Sequence, residues 1–261
     1  MIVVKFGGHA MKDENGNFAK AISAALATGE KVVVVHGGGP QIDAALKERQ
    51  ITSDWIGGFR VTTQEIFDVV EDVLVNRVGV QVAATLSKSG IKAQAISART
   101  LPTVIATRRT KLIDGTPAEL GFVGDVQSVN PSQLLDLLDQ GIVPVVAPIS
   151  SDSDLVTGLN VNADFAAAAI AAALQASALI VMTDVAGIYR DWPDKDSLIK
   201  EISATELETL KAGFAAGMAP KVQAALDALS FGAKAVRIID GTDPDSFASA
   251  LAGTGGTLVV S

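Results

Sequence analysis

Short β-branched runs alternate with helical patterns from one end of this chain to the other, and that alternation admits few folds. Strand patterns cover Ile2-Lys5, Lys31-His36, Ala93-Ile96, Val143-Pro148, Ala178-Thr183 and Ala235-Ile239. Helical patterns lie near 18–27, 41–49, 63–88, 131–140, 164–176, 205–212 and 220–231. Strands buried on both faces read as continuous apolar runs, and strands separated by helices return in parallel. The expected fold is therefore α/β, a three-layer αβα sandwich with a mostly parallel central sheet. Segment 103–130 breaks the pattern with Asp114-Gly115 and Gly121-Phe122-Val123-Gly124. The Asp-Gly pair signals a hairpin, so antiparallel strands over the sheet edge are expected there.

Composition excludes several classes of function. A chain of 261 residues with 48% apolar content can bury a sizeable core, as one large domain or two lobes. A formal charge of −8 argues against a surface built to neutralise nucleic-acid phosphates. The absence of cysteine excludes disulfides, thiolate zinc sites and cysteine nucleophiles. The first residues read as a strand rather than a signal peptide, and the alanine-rich stretch Ala166 to Leu174 is too short to span a membrane. A cytoplasmic protein is expected.

The residues suited to chemistry cluster where predicted strands end, which is where open parallel sheets bind ligands. The first strand runs into Lys5-Phe6-Gly7-Gly8, placing a cation beside exposed backbone N–H groups, a combination suited to phosphate. The second runs into His36-Gly37-Gly38-Gly39-Pro40 and then a helix. Neither loop is a Walker A sequence. Lys221 follows Gly217-Met218-Ala219-Pro220 in the first turn of a helix, where it opposes the macrodipole; an anion at that helix end would reverse the balance, and a solvated lysine is the alternative. Asn160-Val161-Asn162-Ala163-Asp164 opens the alanine-rich helix; capping accounts for Asp164 but not for two alternating asparagines, which offer donors and acceptors to a polar ligand.

In Gly57-Gly58-Phe59-Arg60-Val61-Thr62, the arginine is a natural partner for a carboxylate or for a surface ion pair. Thr183-Asp184-Val185-Ala186-Gly187-Ile188-Tyr189 suits a nucleotide-binding turn and equally an ordinary βα turn. His9 and His36 have no third ligand nearby for a metal, so both read as loop histidines bonded to nearby backbone, and no metal site is expected.

Together these segments resemble the amino-acid kinase superfamily, and within it the acetylglutamate kinases of arginine biosynthesis. The order Lys-x-Gly-Gly, His-Gly-Gly-Gly, Gly-x-Arg-Val-Thr, Asn-x-Asn-x-Asp, Thr-Asp-Val-x-Gly and Gly-Met-x-x-Lys runs through essentially the whole chain. The resemblance implies that Lys5 and Lys221 neutralise a transferring phosphoryl group while Asp164 orients both. Gly8, Gly38 and Gly39 would surround that group with N–H donors, Gly7 and Gly8 would lie against the nucleotide, and Arg60, Asn160 and Asn162 would hold the amino-acid substrate, N-acetyl-L-glutamate. Thr183, Asp184, Gly187, Tyr189 and Met218 would hold ATP, bound as MgATP with the metal carried on the nucleotide. Residues 1–176 would form the amino-acid-binding and dimerising lobe, and 177–261 the nucleotide lobe, on one continuous sheet.

The chain departs from the pattern at Asn76-Arg77-Val78-Gly79-Val80, where relatives often carry Gly-Lys-Val-Asn. Arginine-inhibited relatives carry an extra N-terminal helix, and this chain starts at its first strand, so the expectation is a homodimer insensitive to arginine. Kinases acting on carrier-bound aminoadipate or glutamate differ mainly around the Arg60 segment, whose form here favours the free acetylated amino acid. A non-catalytic sensor on the same fold would have no need of Lys5, Asp164 and Lys221.

Overall fold

The computed structural model describes residues 1–7, 16–100, 102–214, 217–243 and 245–261; Gly8 and His9, singled out above, lie outside the described residues. The strands are β1 (Ile2–Phe6), β2 (Val32–His36), β3 (Trp55–Ile56), β4 (Phe59–Arg60), β5 (Ala93–Ser97), β6 (Val104–Arg108), β7 (Val123–Val129), β8 (Val143–Ala147), β9 (Ile149–Ser151), β10 (Gly158–Val161), β11 (Ala178–Thr183), β12 (Glu201–Ser203), β13 (Val236–Asp240) and β14 (Thr257–Val260). The α-helices are α1 (Asn17–Ala27), α2 (Gly39–Glu48), α3 (Gln64–Glu71), α4 (Gly79–Lys88), α5 (Ser132–Asp139), α6 (Ala163–Ala173), α7 (Ala204–Leu210), α8 (Ala219–Ser230) and α9 (Ser246–Leu251).

The main sheet has the order β12-β14-β13-β11-β1-β2-β8-β5 among the described residues, and its pairs are parallel except β13–β14. Alternation along each strand sends successive side chains to opposite faces. Val3, Val33, Val35, Leu179 and Val181 therefore join one core with α5, α6, α7 and α8, while Val4, Phe6, Val32, Val34 and Ile180 join a second core with α1, α2, α3, α4 and α9. The αβα sandwich is thus present. Burial of each such side chain contributes about 1.5–3 kcal/mol, so the two cores lock the strand register on which the site depends.

Two expectations are corrected. The 63–88 pattern is one helical rod but not one α-helix: residues Asp72–Val78 form a π-helical stretch between α3 and α4, beyond what apolar periodicity reports. Strands β6 and β7 pair antiparallel as expected, with a bulge between Ile105 and Ala106, but they close with β9 and β10 into a small four-stranded barrel instead of lying as a hairpin over the sheet edge. The polar run Ser150-Ser151-Asp152-Ser153-Asp154 between and around these strands hid β9 from a hydrophobic reading. Strands β12 and β14 and helix α9, all short, were also unread; β14 alternates buried and half-buried residues, the mark of a pleat covered more on one side.

Asp114-Gly115 does turn the chain between β6 and β7, with Asp114 Oδ1 accepting from Thr116 N at 2.9 Å and Gly115 in the left-handed region. Among the described residues no helix is long and apolar enough to cross a membrane.

Candidate active site

Three strand and helix ends converge on one carboxylate. Lys5 lies in β1 opposite Val35 and Val181, so its side chain faces the α6 side of the sheet. There its Nζ lies 3.1 Å from Oδ1 of Asp164, and Lys221 Nζ lies 3.3 Å from Oδ2. Asp164 sits in the first turn of α6, where Asn162, rather than Asp164, is the cap: its Oδ1 accepts from Asp164 N at 2.8 Å. Capping therefore explains the second asparagine and leaves the Asp164 carboxylate for the lysines, the reverse of the assignment that spacing favours. Lys221 stands just after Pro220 in the first turn of α8, as its flanking residues imply.

Burial alone would push the Asp164 carboxyl up, but the adjacent Lys5 and Lys221 outweigh it and hold its pKa below the usual carboxylate value. One carboxylate facing two ammonium groups leaves a net positive charge, and the N-termini of α6 and α8 add to it. A buried positive excess of this kind is stable when an anion completes it.

The glycines that follow β1 and β2 border the same cleft. Gly37 N donates to the Phe6 carbonyl at 2.8 Å, tying the second loop to the first. A Cβ on Gly7 would stand 2.8 Å from Lys5 Nζ, so the missing side chain is what leaves the ammonium its place. Gly38 precedes α2 as its cap, and a Cβ there would meet Leu74 at 2.6 Å.

Arg60 arrives on a hairpin. Gly57 and Gly58 both have positive φ (55° and 84°), which is the two-residue turn that joins β3 to β4; a Gly-Gly pair between short strands was the available signal. The buried guanidinium donates to Asp43 Oδ1 and Ser53 Oγ, each at 2.7 Å, and lies 4.5 Å over the Trp55 ring. Asn160, in β10, donates from Nδ2 to Thr62 Oγ1 at 3.2 Å, and Thr62 in turn donates to the Arg60 carbonyl at 2.8 Å. Asp43, Ser53 and Thr62 thus orient the arm, yet no motif marks Asp43 or Ser53.

A cleft of about 450 Å³ joins these parts, lined by Lys5, Gly7, Asp164 and Lys221 and also by Gly38, Gly39, Arg60, Asn160 and Asn162. Of the described residues expected to hold nucleotide, Gly7 lines it, whereas Thr183, Asp184, Gly187, Tyr189 and Met218 do not. Thr183 ends β11 beside Asp240, and its carbonyl accepts from Gly241 N at 2.8 Å. Gly187 packs so closely on β14 that a Cβ would stand 2.4 Å from Thr257 Oγ1, a structural reason for that glycine. Tyr189 bridges to Leu198 and stacks edge-on against Trp192 at 5.1 Å. Met218 packs against the α6–α8 core, and its carbonyl accepts from Lys221 N at 3.0 Å. Thr183 nonetheless leaves the sheet at the same carboxyl edge as Lys5, since β11 and β1 are neighbours.

The amino acid kinase family matches residues 1–240 of the chain. An acetylglutamate kinase of Kineococcus radiotolerans is 44% identical over 254 residues, 94% of this chain and 85% of that protein. One from Rhodococcus jostii is 45% identical over 243 residues, 92% of this chain and 79% of that protein. Among solved structures, smu.665 from Streptococcus mutans UA159 superposes with a TM-score of 0.84 at 29% identity, over 99% of this chain and 98% of that one.

Proposed function

The chain belongs to the amino acid kinase family, and from that premise we propose that it phosphorylates the γ-carboxylate of N-acetyl-L-glutamate with ATP, giving N-acetyl-L-glutamyl 5-phosphate for arginine biosynthesis. The observation that carries this reading is the Lys5–Asp164–Lys221 cluster at the base of a cleft walled by Arg60 and Asn160. The donor set suits a transferring phosphoryl group: two ammonium groups over one carboxylate, and glycines at Gly7 and Gly38 where side chains would fill the space.

Bound ATP, with Mg²⁺ carried on it, supplies the phosphoryl group. The acceptor is a carboxylate, ionised at pH 7 because an unperturbed Glu has a pKa of about 4.3, so no protein base is needed. The work left to the chain is to bring two anions together in line and stabilise charge spreading over phosphoryl oxygens. Lys5 and Lys221 neutralise that charge. Asp164 holds both ammonium groups in place and, paired on each oxygen, takes no proton. Gly38 and Gly39 are assigned as N–H donors to the phosphoryl group, and Gly7 to the nucleotide. Arg60 takes the substrate α-carboxylate with guanidinium donors that Asp43 and Ser53 leave over, and Asn160 takes the acetamido group. Asn162 lines the same wall with its Oδ1 committed to the cap. Thr183, Asp184, Gly187, Tyr189 and Met218 are assigned to the nucleotide on the 177–261 side, and residues 1–176 to the amino acid. A cytoplasmic homodimer completes the reading, and light scattering checks the dimer.

The decisive experiment incubates the protein with MgATP and N-acetylglutamate, glutamate or uridylate, trapping acyl phosphate as hydroxamate. Hydroxamate is expected with several-millimolar N-acetylglutamate; its absence removes the activity. Full turnover by Lys221→Ala would remove the mechanism alone.

A further inference from the structure

The second glycine loop is anchored from the far side of the sheet by a histidine that the phosphoryl-transfer scheme does not use. His36 ends β2 opposite Phe6, one residue beyond the Lys5–Val35 pair, so its side chain enters the core opposite to Asp164. It is fully buried, and burial drives its pKa down to about 4 against the smaller raising effect of its bond to Gly37, so the ring is neutral. Nδ1 lies 2.9 Å from the Gly37 carbonyl oxygen. A carbonyl oxygen only accepts, so Nδ1 carries the proton. Nε2 has no hydrogen-bond partner among the described residues.

What faces Nε2 is a gap left by a glycine. A Cβ on Gly79 would stand 3.0 Å from Nε2 and 3.2 Å from the Leu74 carbonyl oxygen. Gly79 closes the π-helical stretch, its N–H donating five residues back to Leu74. Such wide turns inside α-helices recur at functional sites. The Leu74 side chain from this stretch is also the group a Cβ on Gly38 would strike, so one wide turn touches both ends of the His36–Gly38 segment.

We propose that His36, seated against Gly79, is a positioning residue for phosphoryl transfer: its Nδ1–H bond to the Gly37 carbonyl sets the Gly37–Gly38 peptide plane. In a trans peptide the C=O and the following N–H point in opposite directions. A carbonyl held toward the His36 side therefore aims the Gly38 N–H into the cleft, toward the lysine cluster. Gly79 is where the ring fits.

The inference rests on the kinase reading, and the test separates the two. His36→Leu removes the donor at similar volume, whereas His36→Asn keeps a donor at the Nδ1 position with less volume. In the hydroxamate assay, His36→Leu is expected to lose about 10²-fold in kcat with little change in KM for N-acetylglutamate. His36→Asn is expected to recover most of that loss. A packing role predicts the reverse order. Native kcat in His36→Leu, a loss confined to KM, or equal failure of both variants with native melting curves would overturn the proposal. Independently of turnover, ring ¹⁵N spectra of the native protein at pH 7, assigned against His36→Asn, should show a neutral Nδ1-protonated tautomer. An Nε2-protonated or charged ring overturns the proposal even if the variants fail to fold. Absence of turnover in the native protein would instead remove the kinase reading and leave the tautomer to be judged by the spectrum.

Discussion

Strands β1 and β2 run side by side in register from Ile2 opposite Val32 to Phe6 opposite His36, both are buried along their length, and each is followed by a glycine, Gly7 and Gly37. They nevertheless bring opposite chemistry to the cleft. Lys5 faces the α6 side and finds Asp164, so a buried charge persists because it is paired. His36 faces the other side, where Gly79 and Leu74 offer no counter-charge, and it stays neutral. Strand β1 acts through a cation and the loop after β2 through an oriented backbone, and the face on which the last polar residue falls decides which.

The largest effect that would break this contrast is at Asp164. Asp164→Asn leaves two lysines facing each other without a counter-charge, and it should lower kcat on the order of 10³-fold and cost about 3–5 kcal/mol in urea denaturation. Unchanged kinetics and stability would mean that pairing is not what holds the charge there. Next is Gly7→Ala, whose Cβ would meet Lys5 Nζ. Displacing that ammonium by about 1 Å should cost about 10²-fold in kcat with the fold intact by circular dichroism.

The His36 side is sharpened by pH. Its folded pKa of about 4 lies below its unfolded value of 6.5, so the unfolded chain takes up a proton first and stability falls as pH drops through that interval. The loss should reach about 3 kcal/mol by pH 4, and His36→Leu should flatten the slope of urea midpoint against pH over that range. Asp164 acts lower: its folded pKa is depressed, so its contribution is complete above the ordinary carboxylate range and disappears only as pH falls through the depressed value. The smallest effect is at Gly38→Ala, where the added Cβ meets an apolar Leu74 methyl rather than a charge. Overpacking there should cost about 1–3 kcal/mol of stability and less activity than Gly7→Ala.

Much of the fold was legible because its signals are local. The six apolar strand runs appear in the sheet, since a strand buried on both faces must be apolar throughout. Strand β9 was not legible, because its serines are buried by a barrel that forms only when distant segments meet. Within the site, Lys5, Asp164 and Lys221 stand in local motifs but owe their shared role to the family resemblance, whereas no motif marks Asp43 or Ser53. Their value lies in reaching Arg60 across a hairpin. The exchange of roles between Asn162 and Asp164 was equally hidden, because either residue can cap a helix and only the position of two lysines favours one arrangement.

By itself the sequence determined the alternation of strands and helices, the glycines that follow β1 and β2, and the presence of Lys5, Asp164 and Lys221 at strand and helix ends. Those follow from periodicity, turn chemistry and side-chain type, each readable within a few residues. Only the tertiary structure decided that Lys5 and Lys221 share one carboxylate, that His36 is neutral, and that a π-helical turn makes room for it. Each of these depends on which buried groups stand within a few ångströms of one another, a property of the packed sheet and its two faces rather than of any local run.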